Sequence, residues 1–177
     1  MNATRSCFYS AALLLAALSV TPAIGAEQKS PPSKPGTLQV QINIPPTWRP
    51  MIEDHVTEAF ASYIFDVFRR QGYKGGITEV RWYEEPSPGC CLLTINLTEW
   101  RMNHIGNIDC TFTANVQTER TSRHLGIFSG MSFRWMSGPG RFGISDAFGE
   151  AAEEAVRQLY DALARTELVP GLRKSSG

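Results

Sequence analysis

Charge of one sign, histidine and long apolar runs are all scarce in this chain. Lys and Arg number 17, Asp and Glu 17, and the formal charge is zero. The two signs are interspersed. No basic run could track a phosphate backbone, so no nucleic-acid partner is expected. The three histidines, His55, His104 and His124, share no metal-ligand spacing, so neither a metal nor a cofactor is expected. There is no G-x-S-x-G elbow, no H-E-x-x-H helix and no P-loop. Acidic residues are plentiful, but none sits in a sequence context that would tune it for acid–base work. A triad assembled from distant residues leaves no such trace, so catalysis lacks support without being excluded.

The apolar run from Ala11 to Val20 is too short to span a bilayer and follows a basic Arg5. Small residues near Gly25 and Ala26 offer cleavage sites, so residues 1–26 read as a secretory signal. A bacterial lipoprotein would carry its acylated Cys just after the apolar run. Here Cys7 precedes it and none follows, which predicts a soluble exported protein, periplasmic or secreted, with no integral membrane segment. Residues 27–37 are rich in Pro, Ser and Lys and read as a disordered lead-in. The 42% hydrophobic content suits one globular domain over 38–167, with a tail over 168–177.

Beyond the signal, three cysteines remain: Cys90, Cys91 and Cys110. An odd count in an oxidising compartment is notable. The strand register derived below places Cys110 roughly 25 Å from Cys91, at ~3.3 Å per residue, so Cys110 reads as a buried free thiol. For Cys90 and Cys91 the readings are a strained vicinal disulfide, an intermolecular pair, or two reduced thiols without a redox role.

What is present in quantity is alternation. Cys91, Leu93, Ile95 and Leu97 alternate with Leu92, Thr94, Asn96 and Thr98. Ile108, Cys110, Phe112, Ala114 and Val116 alternate with Asp109, Thr111, Thr113, Asn115 and Gln117. A period of two puts the apolar members on one strand face. The third segment, read the same way, puts Leu125, Ile127, Met131 and Phe133 on the oily face. Gly126, Phe128, Gly130 and Ser132 then fall on the polar one. Hairpin-length breaks join the three into an antiparallel meander. Matching the oily faces sets Phe112 opposite Leu97, Ala114 opposite Ile95 and Val116 opposite Leu93. On this parity Trp100 points outward unless a bulge near Thr98 turns it in, which is the preferred reading.

Leu38, Val40, Ile42 and Ile44 predict a further half-buried strand, and Ile77 to Tyr83 another, with Val80 and Trp82 on one face. Pro50 opens a helix whose stripe includes Val56, Phe60, Tyr63, Ile64 and Val67, with Gly72 as its C-cap. Ser145 or Asp146 is expected to cap a final helix running to about Arg165. The order is β-α-β-β-β-β-α. The economical fold is an α+β two-layer sandwich, a mostly antiparallel sheet of about five strands with both helices on its oily face.

Gly138 to Gly143 spells G-x-G-x-x-G between a strand and a helix. No strand follows that helix, so the dinucleotide reading fails. A flexible connector, or an anion site using Arg141 at the helix start, is left. The polar sheet face is nearly uncharged and is a solvated face or a docking surface for an envelope protein or glycan. Phe128 and Trp100 are its aromatic candidates. Trp48 and Arg49, in a stiff Pro-flanked loop, form the other candidate anchor.

The segment Leu92 to Met102, the polar turn, the second alternating strand and the Ala/Glu-rich helix from Phe148 to Leu163 together resemble a known group. It is the small Gram-negative periplasmic envelope proteins and lipoproteins with a β-α-β-β-β-α core, among them LptE and the N-terminal domain of TolB. The resemblance implies binding or envelope-assembly roles without catalysis and assigns no functional residue. Three functional readings follow: a non-catalytic binding or assembly module, an exported hydrolase with a hidden site, or a thiol-redox protein using Cys90 and Cys91.

Overall fold

The computed structural model describes residues 37–45, 50–133 and 141–172. Its elements are β1 (Leu38–Asn43), α1 (Pro50–Arg70), β2 (Ile77–Glu79), β3 (Cys91–Met102), β4 (Asn107–Gln117), β5 (Ser122–Phe133) and α2 (Arg141–Ala164). The strand order is β2-β1-β3-β4-β5. β1 is parallel to both its neighbours, while the two long ladders of β3, β4 and β5 are antiparallel. The expected α+β architecture is what forms.

The β3–β4 register is the expected one, with Phe112 opposite Leu97, Ala114 opposite Ile95 and Val116 opposite Leu93. The ladder then slips between Leu97 and Glu99. The extra residue is Thr98, whose hydroxyl donates to the Thr111 carbonyl at 2.9 Å. The bulge turns Trp100 inward. Its ring stands edge-on to Phe60, Tyr63 and Phe148, and its Nε1 donates to the Phe148 carbonyl at 3.1 Å. Glu99 and Arg101 face outward instead and pair at 2.8 Å.

The core lies between the sheet's oily face and the two helices. α1 contributes Phe60, Ala61, Ile64, Val67 and Phe68. α2 contributes mainly small residues, Ala147, Ala151, Ala152 and Ala155, with Val156, Leu159, Tyr160 and Leu163. Gly72, at a left-handed φ of 89°, ends α1. The helices meet through Arg70 and Glu153 at 2.8 Å and through the Tyr160 hydroxyl, which donates to the Gln71 carbonyl at 3.1 Å.

Three expectations need correction. β2 stops at Glu79, and the chain turns so that Trp82 is 70% exposed instead of sharing a face with buried Val80. α2 begins at Arg141, so Ser145 and Asp146 lie inside it and are not its cap. The third concerns β5. Its register shifts between Ala114 and Asn115, where Ala114 faces Gly126 and Asn115 faces His124, leaving Leu125 as an extra residue beside a Gly126 at φ 116°. One extra residue inverts the face of everything after it. Phe128 is therefore 6% exposed and packs on Phe112, while Ile127 is 71% exposed.

Candidate functional site

β5 carries the surface feature that most needs explaining. Among the described residues it is an edge strand, paired only with β4. Under α2 it presents Phe128, Gly130 and Ser132. A side chain at Gly130 would run into the Ala151 carbonyl and the Ala155 amide, so α2 lies with its backbone directly over the strand. The Ser132 hydroxyl donates to Glu150 of the helix at 2.6 Å. The close approach needs small residues on this side, and the large ones are left for the other.

On the outer face β5 presents Ile127, Met131 and Phe133, all exposed. They stand beside the polar row of β4, with Ile127 opposite Thr113 and Met131 opposite Asp109. Further in, the face is polar and linked by hydrogen bonds. Asn43 donates to Asn96 at 2.9 Å and Asn96 to Thr113 at 3.4 Å. At the β1 end, Gln39 is buried under the loop before β3, exchanging hydrogen bonds with Ser87 at 2.9 and 3.2 Å. No described helix covers this face. β3 also outruns β1 by six residues, from Asn96 to Met102, about 20 Å at ~3.3 Å per residue. Met102 and Ile105 are exposed at the overhanging tip, but Met102 pairs with buried Ile108 and so does not share the outer face of the apolar row.

A solvated sheet face ordinarily carries polar residues. Large apolar side chains grouped along an edge mark an interaction surface.

Of the residues singled out from sequence, Phe128 and Trp100 lie in the core and not on the polar face, for the bulge geometry given above. Trp48, Arg49 and the Arg141 side chain lie outside the described residues. A feature that sequence reasoning missed is the turn after β2. Trp82 and Tyr83 are both exposed and stand edge to face at 5.6 Å. Arg81 donates to the Tyr83 hydroxyl at 3.1 Å, and a small recess beside them is lined by Ile42, Thr57 and Glu58.

Cys90 and Cys91 lie where β3 begins, and Cys110 is buried further along β4. Cys90, Cys91, Thr118, Glu119, Arg120 and Leu168 border an open cleft of about 350 Å³. None of the three described cysteines forms a disulfide. Burial, reinforced by neighbouring Cys90, pushes the Cys91 thiol up to about 11, and burial alone pushes Cys110 to about 12. A thiolate nucleophile needs the opposite shift, so Cys91 is a poor redox centre. Among the described residues no group of His, Cys, Asp and Glu could hold a metal ion, and no helix is long and apolar enough to cross a membrane.

No family model matches this chain, nor does any curated protein. Solved structures do resemble it. A hypothetical protein from Chlamydia trachomatis is 11% identical, with 76% of this chain and 97% of that one covered, at a TM-score of 0.45. The PelC dodecamer from Paraburkholderia phytofirmans is 12% identical over 69% and 86%, at 0.42. A minor lipoprotein from Acinetobacter baumannii is 7% identical over 73% and 92%, at 0.38. At such values these neighbours carry no function across.

Proposed function

We propose that this chain is a non-catalytic, exported binding or envelope-assembly module that engages a protein partner through the outer face of β5. The signal-like segment at residues 1–26 supports the exported, periplasmic part of this reading. The assembly role is the one implied by the likeness to LptE-type and TolB-type envelope proteins. One observation carries the site: Ile127, Met131 and Phe133 project from an edge strand whose opposite face is filled by α2. A protein partner fits this row better than a glycan, since two of its three members, Ile127 and Met131, are aliphatic and give a sugar ring no face to stack on.

The test is site-specific photo-crosslinking in the native host. A benzophenone amino acid at Ile127 should give a discrete adduct, and one at exposed Ser62 on α1 should not. Ile127→Asp should abolish the complex and shift the melting temperature by no more than about 2 °C, because the side chain is already in water. Equal adducts from both positions, or none from Ile127, would sink the assignment.

A further inference from the structure

We infer that the free edge of β5 takes up an extended peptide as a sixth strand of the sheet. This rests on the reading of β5 above and specifies the partner. The Thr98 hydroxyl bonds the Thr111 carbonyl at 2.9 Å, so the Thr111 backbone groups face β3. Its partner across the other ladder is Ser129, and the two form a non-hydrogen-bonded pair. The backbone N–H and C=O of Ser129 therefore point away from β4, to the open edge. The Ser129 carbonyl is met there by Gln158 Nε2 from α2 at 2.9 Å. Ile127, Met131 and Phe133 share this parity. The residues with apolar side chains on the outer face are thus the ones that offer unpaired ladder groups to a newcomer.

Two of the usual protections of an edge, charge and proline, are missing over this stretch. From Leu125 to Phe133 there is no charge and no proline. Gln158 does not close the edge, because a carbonyl has two lone pairs and can accept a second N–H.

The geometry also selects the occupant. α2 passes with its backbone over Gly130. Two copies joined β5 to β5 antiparallel would keep both α2 helices on one face, with the strands ~4.8 Å apart and the helices crowded over them. Packed helices need roughly 8–10 Å. A second copy cannot dock this way, whereas a strand with no helix of its own can. Its outer residues would pair with Ile127 and Met131 and should be large and apolar. Its inner residues would lie under the flank of α2 and should be small, as Gly130 and Ser132 are. This is strand addition by an extended, uncharged segment alternating large apolar with small residues.

The experiment selects a phage-displayed library of random twelve-residue peptides on the purified protein. The strongest peptide is then titrated by fluorescence anisotropy. Enriched peptides should alternate large apolar with small residues. Bound peptide should slow amide exchange at Ile127, Ser129 and Met131 at least tenfold. Ser129→Pro, which removes an edge-facing N–H that β4 does not use, should weaken binding at least tenfold, and so should Ile127→Asp. Ser129→Lys, a charge on the edge, provides the same test if the proline variant melts early. Failure to enrich alternating peptides would overturn the inference, as would binding untouched by either Ser129 substitution. A concentration-dependent dimer that Ser129→Pro abolishes, seen by sedimentation velocity, would overturn it in favour of a second copy. If Ile127→Asp removes the photo-adduct while both Ser129 variants keep it, the β5 face stands and strand addition falls. If none of these substitutions matters, both fall.

Discussion

Gly130→Ala tests the orientation of β5 with the smallest available change. A methyl group at Gly130 would meet the Ala151 carbonyl oxygen, the Ala155 amide nitrogen at 2.8 Å and Glu154 Cβ at 2.9 Å. Two of these three are main-chain atoms of α2, which cannot rotate away as a side-chain tip can. Inserting a methyl into a filled site typically costs about 1–3 kcal/mol. With a helix backbone as the obstacle the cost should lie at the upper end, about 3 kcal/mol. For a domain of this size that corresponds to a melting temperature lower by about 6–12 °C. The alternation-based reading, with Gly130 facing solvent, predicts the opposite sign, since replacing glycine within a strand should gain about 0.5–1 kcal/mol. Thermal melts followed by far-ultraviolet circular dichroism, with Ser129→Ala as the outward-facing control, decide between the two. A Gly130→Ala protein as stable as the parent would refute both the packing of α2 on β5 and the surface built on it.

Two other outcomes follow from buried groups. The Tyr73 hydroxyl is buried and has no hydrogen-bond partner among the described residues, so Tyr73→Phe should raise stability by about 1 kcal/mol in urea melts, and a loss would show that the hydroxyl is satisfied. Cys91 and Cys110 are held at about 11 and about 12 by burial, against an ordinary value of 9.0. Above pH 9 the unfolded chain releases thiol protons that the folded chain keeps, so their contribution is complete below pH 9 and is lost as pH rises towards 11–12. Melting temperature should therefore fall across that window. The fall should be shallower in Cys110→Ala, and an unchanged slope would count against burial as the cause.

Much of the architecture was legible because alternation reports burial directly. The β3–β4 register followed from matching Leu93, Ile95 and Leu97 to Val116, Ala114 and Phe112, and the bulge at Thr98 from the misfit of Glu99 and Arg101. The second bulge was not legible in the same way. Leu125 and Ile127 look like two turns of one pattern, and only the helix packed on Gly130 reveals that the phase changes between them. Periodicity carries a face assignment no further than the next irregularity, and the site on β5 lies just past one. Trp82 was misplaced for a related reason. A three-residue strand ends before its apparent pattern does.

The parallel placement of β1 between β2 and β3 bears on how the chain acquires its shape. β1 is the first strand to be synthesised, yet both its sheet neighbours come later, β2 from Ile77 and β3 from Cys91. The meander of β3, β4 and β5 can zip from local turns, whereas β1 must wait and then insert between β2 and β3, two partners far along the chain. Until then the segment Leu38–Asn43, alternating and uncharged, has both of its edges open. Loop closure over such distances slows folding, and open strands with apolar residues are where nascent chains associate wrongly. The segment that joins β2 to the meander is thus the one exposed longest during biosynthesis, and holding it apart from other chains falls to whatever meets the nascent polypeptide first.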